Sequence, residues 1–149
     1  MNKNLKPGVF LDNNVLISGL YSDKSSPGVI IDYFVLGKIS VIISQKVLNE
    51  AITVIKIKFP LILSKVMLFL INYPPVIIKD PEANSTNRWA GLLNKDDAII
   101  LEAAISCQAQ YFITGDMHFF NSPQIQNTAC LKIMRPNDFV RIKLKFFSI

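Results

Sequence analysis

Short apolar runs alternate with amphipathic stretches along this chain, and each apolar run stops at a polar or acidic residue. Gly8-Val9-Phe10-Leu11-Asp12 reads as a buried strand that ends abruptly, because Asn13 and Asn14 are turn formers and poor strand residues. Pro27-Gly28 starts a helix through Leu36 and Gly37 stops it, after which the β-branched run 39–43 predicts a second strand. Ser44 is placed as an N-cap for a helix over 45–58, whose apolar face carries Val47, Leu48, Ala51, Ile52, Val54 and Ile55 with Glu50 at its edge. Phe59-Pro60 breaks that helix. A further helix over 61–72 follows, and Pro74-Pro75 leads into a short strand at 76–78.

The stretch 80–95 is the most polar and predicts a surface loop with a helical turn around 88–92. Asp96-Asp97 opens a helix over 98–109 that is apolar on nearly all sides except at Glu102 and Ser106, which places it in the core. Residues 111–114 form the next strand, Gly115 the turn, and 131–134 the last strand; 135–138 is a turn and 139–149 a tail without an assigned structure. No internal repeat or low-complexity segment is visible.

Strands alternating with helices predict a parallel α/β sheet, and such sheets gather their chemistry at the carboxyl ends of the strands. Asp12 and Asp116 each follow a strand, Asp97 stands at a helix start and Glu50 on a helix face, so the four acids are candidates for one metal-binding pocket. Taken singly, each has a plainer reading: a solvated edge for Glu50, and capping or dipole interaction for Asp96 and Asp97.

Composition narrows this further. At 149 residues, half of them hydrophobic, the chain fits one globular domain with a sizeable core. The net charge of +5 despite four clustered acids implies a basic exterior, which suits a polyanionic substrate such as nucleic acid and equally serves solubility. Cys107 and Cys130 suggest neither a zinc knuckle nor a disulfide framework, so reduced buried thiols are expected. There is no apolar signal core near the N-terminus, and the greasiest stretch, 61–71, is too short to span a membrane and contains Lys65, so a cytoplasmic location without membrane attachment is expected. A P-loop is excluded by the lack of a Gly-rich Lys-Ser/Thr turn.

The residues also carry a family resemblance. Val9-Phe10-Leu11-Asp12-Asn13-Asn14-Val15-Leu16-Ile17-Ser18-Gly19-Leu20 resembles the opening strand and turn of PIN-domain nucleases, and Ile43-Ser44-Gln45 through Glu50 resembles their second acidic motif. Asp97-Ala98-Ile99-Ile100-Leu101-Glu102-Ala103-Ala104 is similar to the helix that begins with the third acid, and Tyr111-Phe112-Ile113-Thr114-Gly115-Asp116 to the strand and turn carrying the fourth. The likeness runs over about 9–139 and is similar in detail to the branch that supplies toxins of prokaryotic toxin-antitoxin pairs. Each motif alone is weak; four in order are specific.

The resemblance implies a three-layer α/β/α fold around a parallel sheet of about five strands, and a metal-dependent endoribonuclease. It implies Asp12, Glu50, Asp97 and Asp116 as catalytic ligands of Mg²⁺ or Mn²⁺, with Asn14 and Thr114 orienting them, and Asp96 left to capping. It further implies RNA as substrate, a cognate antitoxin protein and a homodimer. Lys46, Lys56, Lys58, Arg88 and Lys95 flank the acidic motifs and are candidate RNA contacts, while Trp89 and Tyr21 are candidates for base stacking, with a packing role favoured for Trp89.

Two positions depart from the family pattern. Asn13 stands where relatives often carry Thr or Ser. His118, the only histidine, stands where many carry another acid; an imidazole serves Mn²⁺ or phosphate but suits Mg²⁺ poorly. The competing reading is a catalytically silent PIN-like module that binds RNA or protein. An aspartyl-phosphate enzyme or receiver domain is disfavoured because the acid expected near position 14 is Asn14.

Overall fold

The structure, a computed structural model, describes residues 6–127 and 131–147. Five strands, β1 (Gly8–Leu11), β2 (Ser40–Ser44), β3 (Val76–Ile78), β4 (Tyr111–Ile113) and β5 (Lys132–Met134), form one all-parallel sheet in the order β3-β2-β1-β4-β5. The helices are α1 (Asn13–Tyr21), α2 (Ser26–Val35), α3 (Gln45–Lys58), α4 (Leu63–Asn72), α5 (Lys95–Ser106), α6 (Pro123–Gln126) and α7 (Pro136–Asp138). This is the three-layer α/β/α arrangement expected from the alternating pattern.

The strand order positions the site. From β1 the chain steps outward to β2 and then β3, and afterwards returns across the sheet to β4 on the other side of β1. Right-handed crossovers therefore send α1 to α4 to one face and α5 to the other. The direction of winding reverses between β1 and β4, and the crevice beyond their carboxyl ends is where such a sheet leaves room for a ligand.

The central strands are apolar because they are covered on both faces: Val9, Phe10, Leu11, Phe112 and Ile113 are completely buried. Phe112 anchors this centre, meeting Phe10 edge-on at a centroid distance of 5.6 Å and Phe119 at 5.0 Å. Close approach of α1 to α2 depends on Gly19, where a Cβ would stand 2.6 Å from Ile31 Cγ1 and 2.8 Å from the Pro27 carbonyl oxygen.

Several expectations are corrected. Asn13 and Asn14 are not a turn but the first residues of α1. The strand ends at Asp12 because its side chain accepts the Asn13 N–H at 2.8 Å and starts a helix. Asp96 does not cap α5; Asn94 does, accepting the Asp97 N–H at 2.8 Å, and the helix begins at Lys95 and ends at Ser106. Gln108 follows in the left-handed region at φ 58°, which ends the helix short of 109.

In the polar stretch the helical turn lies earlier than expected, as a 3-10 segment Ala83–Trp89. The C-terminal segment is helical rather than an unassigned tail: α7 continues through a π-type turn Phe139–Lys143 and a 3-10 turn Leu144–Phe147, with Phe139 and Leu144 buried. Cys107 is half-buried and free, and Cys130 lies outside the described residues. Among the described residues, no helix is long and apolar enough to cross a membrane.

Candidate metal centre

Asp12 is fixed from three sides. It is only 3% exposed, and besides the Asn13 N–H it accepts Thr114 Oγ1–H at 2.7 Å and Asn14 Nδ2–H at 3.1 Å, both on Oδ2. Thr114, itself fully buried, accepts the Asp116 N–H on the same hydroxyl at 3.0 Å. Asn14 Oδ1 accepts the Gly115 N–H, also at 3.0 Å. The end of β4 is thus laced to the end of β1 by side chains that are both donors and acceptors, the arrangement a buried carboxylate needs to remain in place.

Asp116 caps the short 3-10 turn Met117–Phe120 by accepting the His118 N–H at 2.9 Å. The imidazole folds back over it, with His118 Nδ1 3.1 Å from Asp116 Oδ1 and 3.6 Å from Asp97 Oδ2. Ligand atoms of Asp97, Asp116 and His118 all lie within 4.8 Å of one another, close enough together to hold a metal ion. Asp97 Oδ2 is buried and has no hydrogen-bond partner.

Burial and mutual repulsion raise the proton affinity of three of the acids. Burial, then the charges of Asp97 and Asp116, raise the Asp12 carboxyl from its ordinary 3.8 to about 6, although the Thr114 and Asn13 hydrogen bonds pull it down. Asp97 is raised by burial and next by Asp116, with His118 opposing. Glu50 is raised by burial; Lys46 opposes that, while Asp96, Asp12 and Asp97 add to it. Glu50 therefore feels the pocket but does not belong to the tight group of Asp97, Asp116 and His118.

The donor set fits a hard divalent cation. Carboxylate oxygens are what Mg²⁺ and Mn²⁺ take up, clustered acids with raised proton affinities are what such an ion relieves, and Asp97 Oδ2 is buried without a hydrogen-bond partner.

Of the candidate nucleic-acid contacts, Lys46 sits closest to the acids. Its ammonium is 3.0 Å from Asp96 Oδ1, which raises its proton affinity, and its backbone N–H donates to Asp80 Oδ1, also at 3.0 Å. Asp80 closing the start of α3 was not foreseen, since an acid 34 positions away leaves no local signal. Lys56 and Lys58 are exposed in the last turn of α3, and Lys95 is exposed at the first position of α5.

Arg88 pairs with Glu102, a nearly buried acid that also accepts Trp89 Nε1–H at 2.7 Å. Trp89 is accordingly a buried packing residue, which ties the Ala83–Trp89 segment to α5. Tyr21 is exposed and stacks at a tilt on Phe59 with a centroid distance of 4.8 Å. Asn14, Gly115 and Asp116 line one side of a groove of about 450 Å³ that continues over Ser18, Pro27 and Pro136.

A parallel sheet with this winding and an acidic pocket at its switch point defines an α/β protein of doubly wound type. The PIN domain family matches residues 8–118, and the chain belongs to that family. Among solved structures, VapBC2 from Rickettsia felis, crystallised bound to a DNA fragment from its promoter, is similar with a TM-score of 0.61 at 14% identity, over 86% of this chain and 98% of that one. No curated protein matches the sequence.

Proposed function

We propose that this protein is a Mg²⁺- or Mn²⁺-dependent endoribonuclease, acting as the toxin of a toxin-antitoxin pair. The observation that carries the reading is the buried Asp97 Oδ2, without a hydrogen-bond partner, beside Asp116 and His118 and next to an Asp12 held by three hydrogen bonds. Asp12, Asp97 and Asp116 would hold the ion, with Glu50 reaching the same pocket from α3. A bound divalent ion supplies an acidified water, polarises the phosphodiester and stabilises the leaving oxygen.

The chain's own residues do the rest. Thr114 and Asn14 keep Asp12 oriented, so the carboxylate need not reorganise when substrate arrives. Phosphate contacts from Lys46, Lys56, Lys58, Arg88 and Lys95 would position a strand of RNA with little choice of sequence and with steep salt dependence. The Arg88 pairing with Glu102 makes it the contact most committed elsewhere, and the Asp96 carboxylate competes with phosphate for Lys46.

The likeness to VapBC2 supports an antitoxin partner, and the reading adds RNA as substrate, a homodimer and a cytoplasmic location. The test is product chemistry. Cleavage of a single-stranded RNA should stop in EDTA and leave 5′-phosphate and 3′-hydroxyl ends. Cyclic phosphate ends, or cutting that persists in EDTA, would overturn the metal-dependent hydrolysis. Metal binding without any cleavage would favour the silent binding module.

A further inference from the structure

We propose that His118 is a nitrogen ligand of the divalent ion and biases the centre toward Mn²⁺ over Mg²⁺. The inference rests on the reading of the pocket as a divalent-ion site and adds which ion this chain's own residues select. Its basis is the juxtaposition of His118 Nδ1 with Asp116 Oδ1 at 3.1 Å and Asp97 Oδ2 at 3.6 Å. Adjacent ligands of an octahedral ion at about 2.1 Å stand about 3 Å apart, so Nδ1 lies at close to neighbouring-ligand spacing from Asp116 Oδ1 and slightly beyond it from Asp97 Oδ2.

Local structure explains why the imidazole is there. The Asp116 side chain caps the 3-10 turn by accepting the His118 N–H, which folds the two residues back to back and brings the ring over both carboxylates. The other atom at this spot is Asp97 Oδ2, buried and without a hydrogen-bond partner, so ring nitrogen and carboxylate oxygens lie close enough to share one ion. The ring is itself 65% exposed and packs no core, so its position is not explained by burial.

The chemistry of selection follows. Mg²⁺ takes hard oxygen donors and keeps its waters, whereas Mn²⁺, though also oxygen-preferring, accepts an imidazole nitrogen more readily than Mg²⁺ does. With His118 joining Asp12, Asp97 and Asp116, one ligand position carries nitrogen in place of oxygen, a loss that Mg²⁺ feels more than Mn²⁺ does. His118 then acts on metal choice, and through it on activity.

His118 is the only histidine in the chain, which makes the test direct. Untagged, metal-stripped protein is titrated with Mn²⁺, and the bound ion is examined by pulsed electron paramagnetic resonance for imidazole nitrogen coupling. Competition with Mg²⁺ gives the preference ratio. The wild type should show the coupling and His118→Ala should lose it, with Mn²⁺ affinity falling about tenfold. His118→Asp, which restores an oxygen donor, should strengthen Mg²⁺ binding and lower the Mn²⁺-to-Mg²⁺ preference about tenfold. Bound Mn²⁺ without nitrogen coupling, or a preference unchanged in both variants, overturns the proposal and leaves the metal-dependent nuclease standing. No Mn²⁺ binding up to millimolar concentration overturns both.

Discussion

The two sides of the acidic pocket hold carboxylates under opposite conditions. Where β1 meets β4, Asp12 is buried and has hydrogen bonds from Thr114, Asn14 and the Asn13 backbone. Where the starts of α3 and α5 meet through Lys46 and Asp96, Asp97 keeps a buried oxygen with no hydrogen-bond partner, and Lys46 opposes the rise of Glu50. The first side is completed by the protein; the second is left to be completed by something that binds. Order is supplied where two strand ends must be fixed relative to one another, and unmet hydrogen-bonding capacity remains at the start of α5.

The sharpest way to break this contrast is to remove the unmet capacity. Asp97→Asn should reduce metal-dependent cleavage by about 10³-fold, roughly 4 kcal/mol of barrier, while leaving the metal-free protein as stable as wild type or more so. Cleavage within tenfold of wild type would mean that the open oxygen has no part in the chemistry.

The next effect is on stability against pH. Because Asp12 in the folded protein holds its proton up to about 6 and its ordinary value is 3.8, the folded state binds more protons between those values. Metal-free protein should therefore lose stability as pH rises through that window, by an amount on the order of 3 kcal/mol, and level off above it. Asp97 and Glu50 are shifted the same way and add to the trend. Thermal melts at pH 5 and pH 7.5 test this; Asp12→Asn should flatten the slope, and saturating Mn²⁺ should raise Tm more at pH 7.5 than at pH 5.

Thr114→Val keeps the shape and removes the shared hydroxyl. It leaves Asp12 Oδ2 short of a donor and the Asp116 N–H without its acceptor, at a cost of about 2 kcal/mol in denaturant unfolding, with a loss of metal affinity of about tenfold. Thr114→Ser should recover most of both. The smallest effect is at the open mouth: Asp96 is 72% exposed, so Asp96→Asn should change stability by under about 1 kcal/mol, while freeing Lys46 and tightening RNA binding modestly at low salt.

The same contrast governs what could be read from the sequence. The β1–β4 side was legible because its parts are local: an apolar run ending in Asp12, then Asn14 two residues on, and Thr114 two before Asp116. What escaped was the helix beginning at Asn13. Two asparagines read as a turn when the preceding acid is not credited with capping. Asn94 was overlooked in the same way, because Asp96 and Asp97 looked like the stronger caps. The Asp80 contact to α3, the pairing of Lys46 with Asp96 and the hold of Glu102 on Trp89 join residues distant in sequence, and only the fold brings them together. The helical C-terminal segment is short and made of π and 3-10 turns, which carry little periodic signal.

The most direct test of the central claim is cleavage of a mixed-sequence single-stranded RNA by wild type and by Asp12→Asn, purified identically, in Mg²⁺, Mn²⁺ or EDTA. Cutting by the wild type in either metal, absent in EDTA and absent in the variant, is the predicted result. Undiminished cutting by Asp12→Asn, or none by folded wild type across several RNAs in both metals, would contradict it.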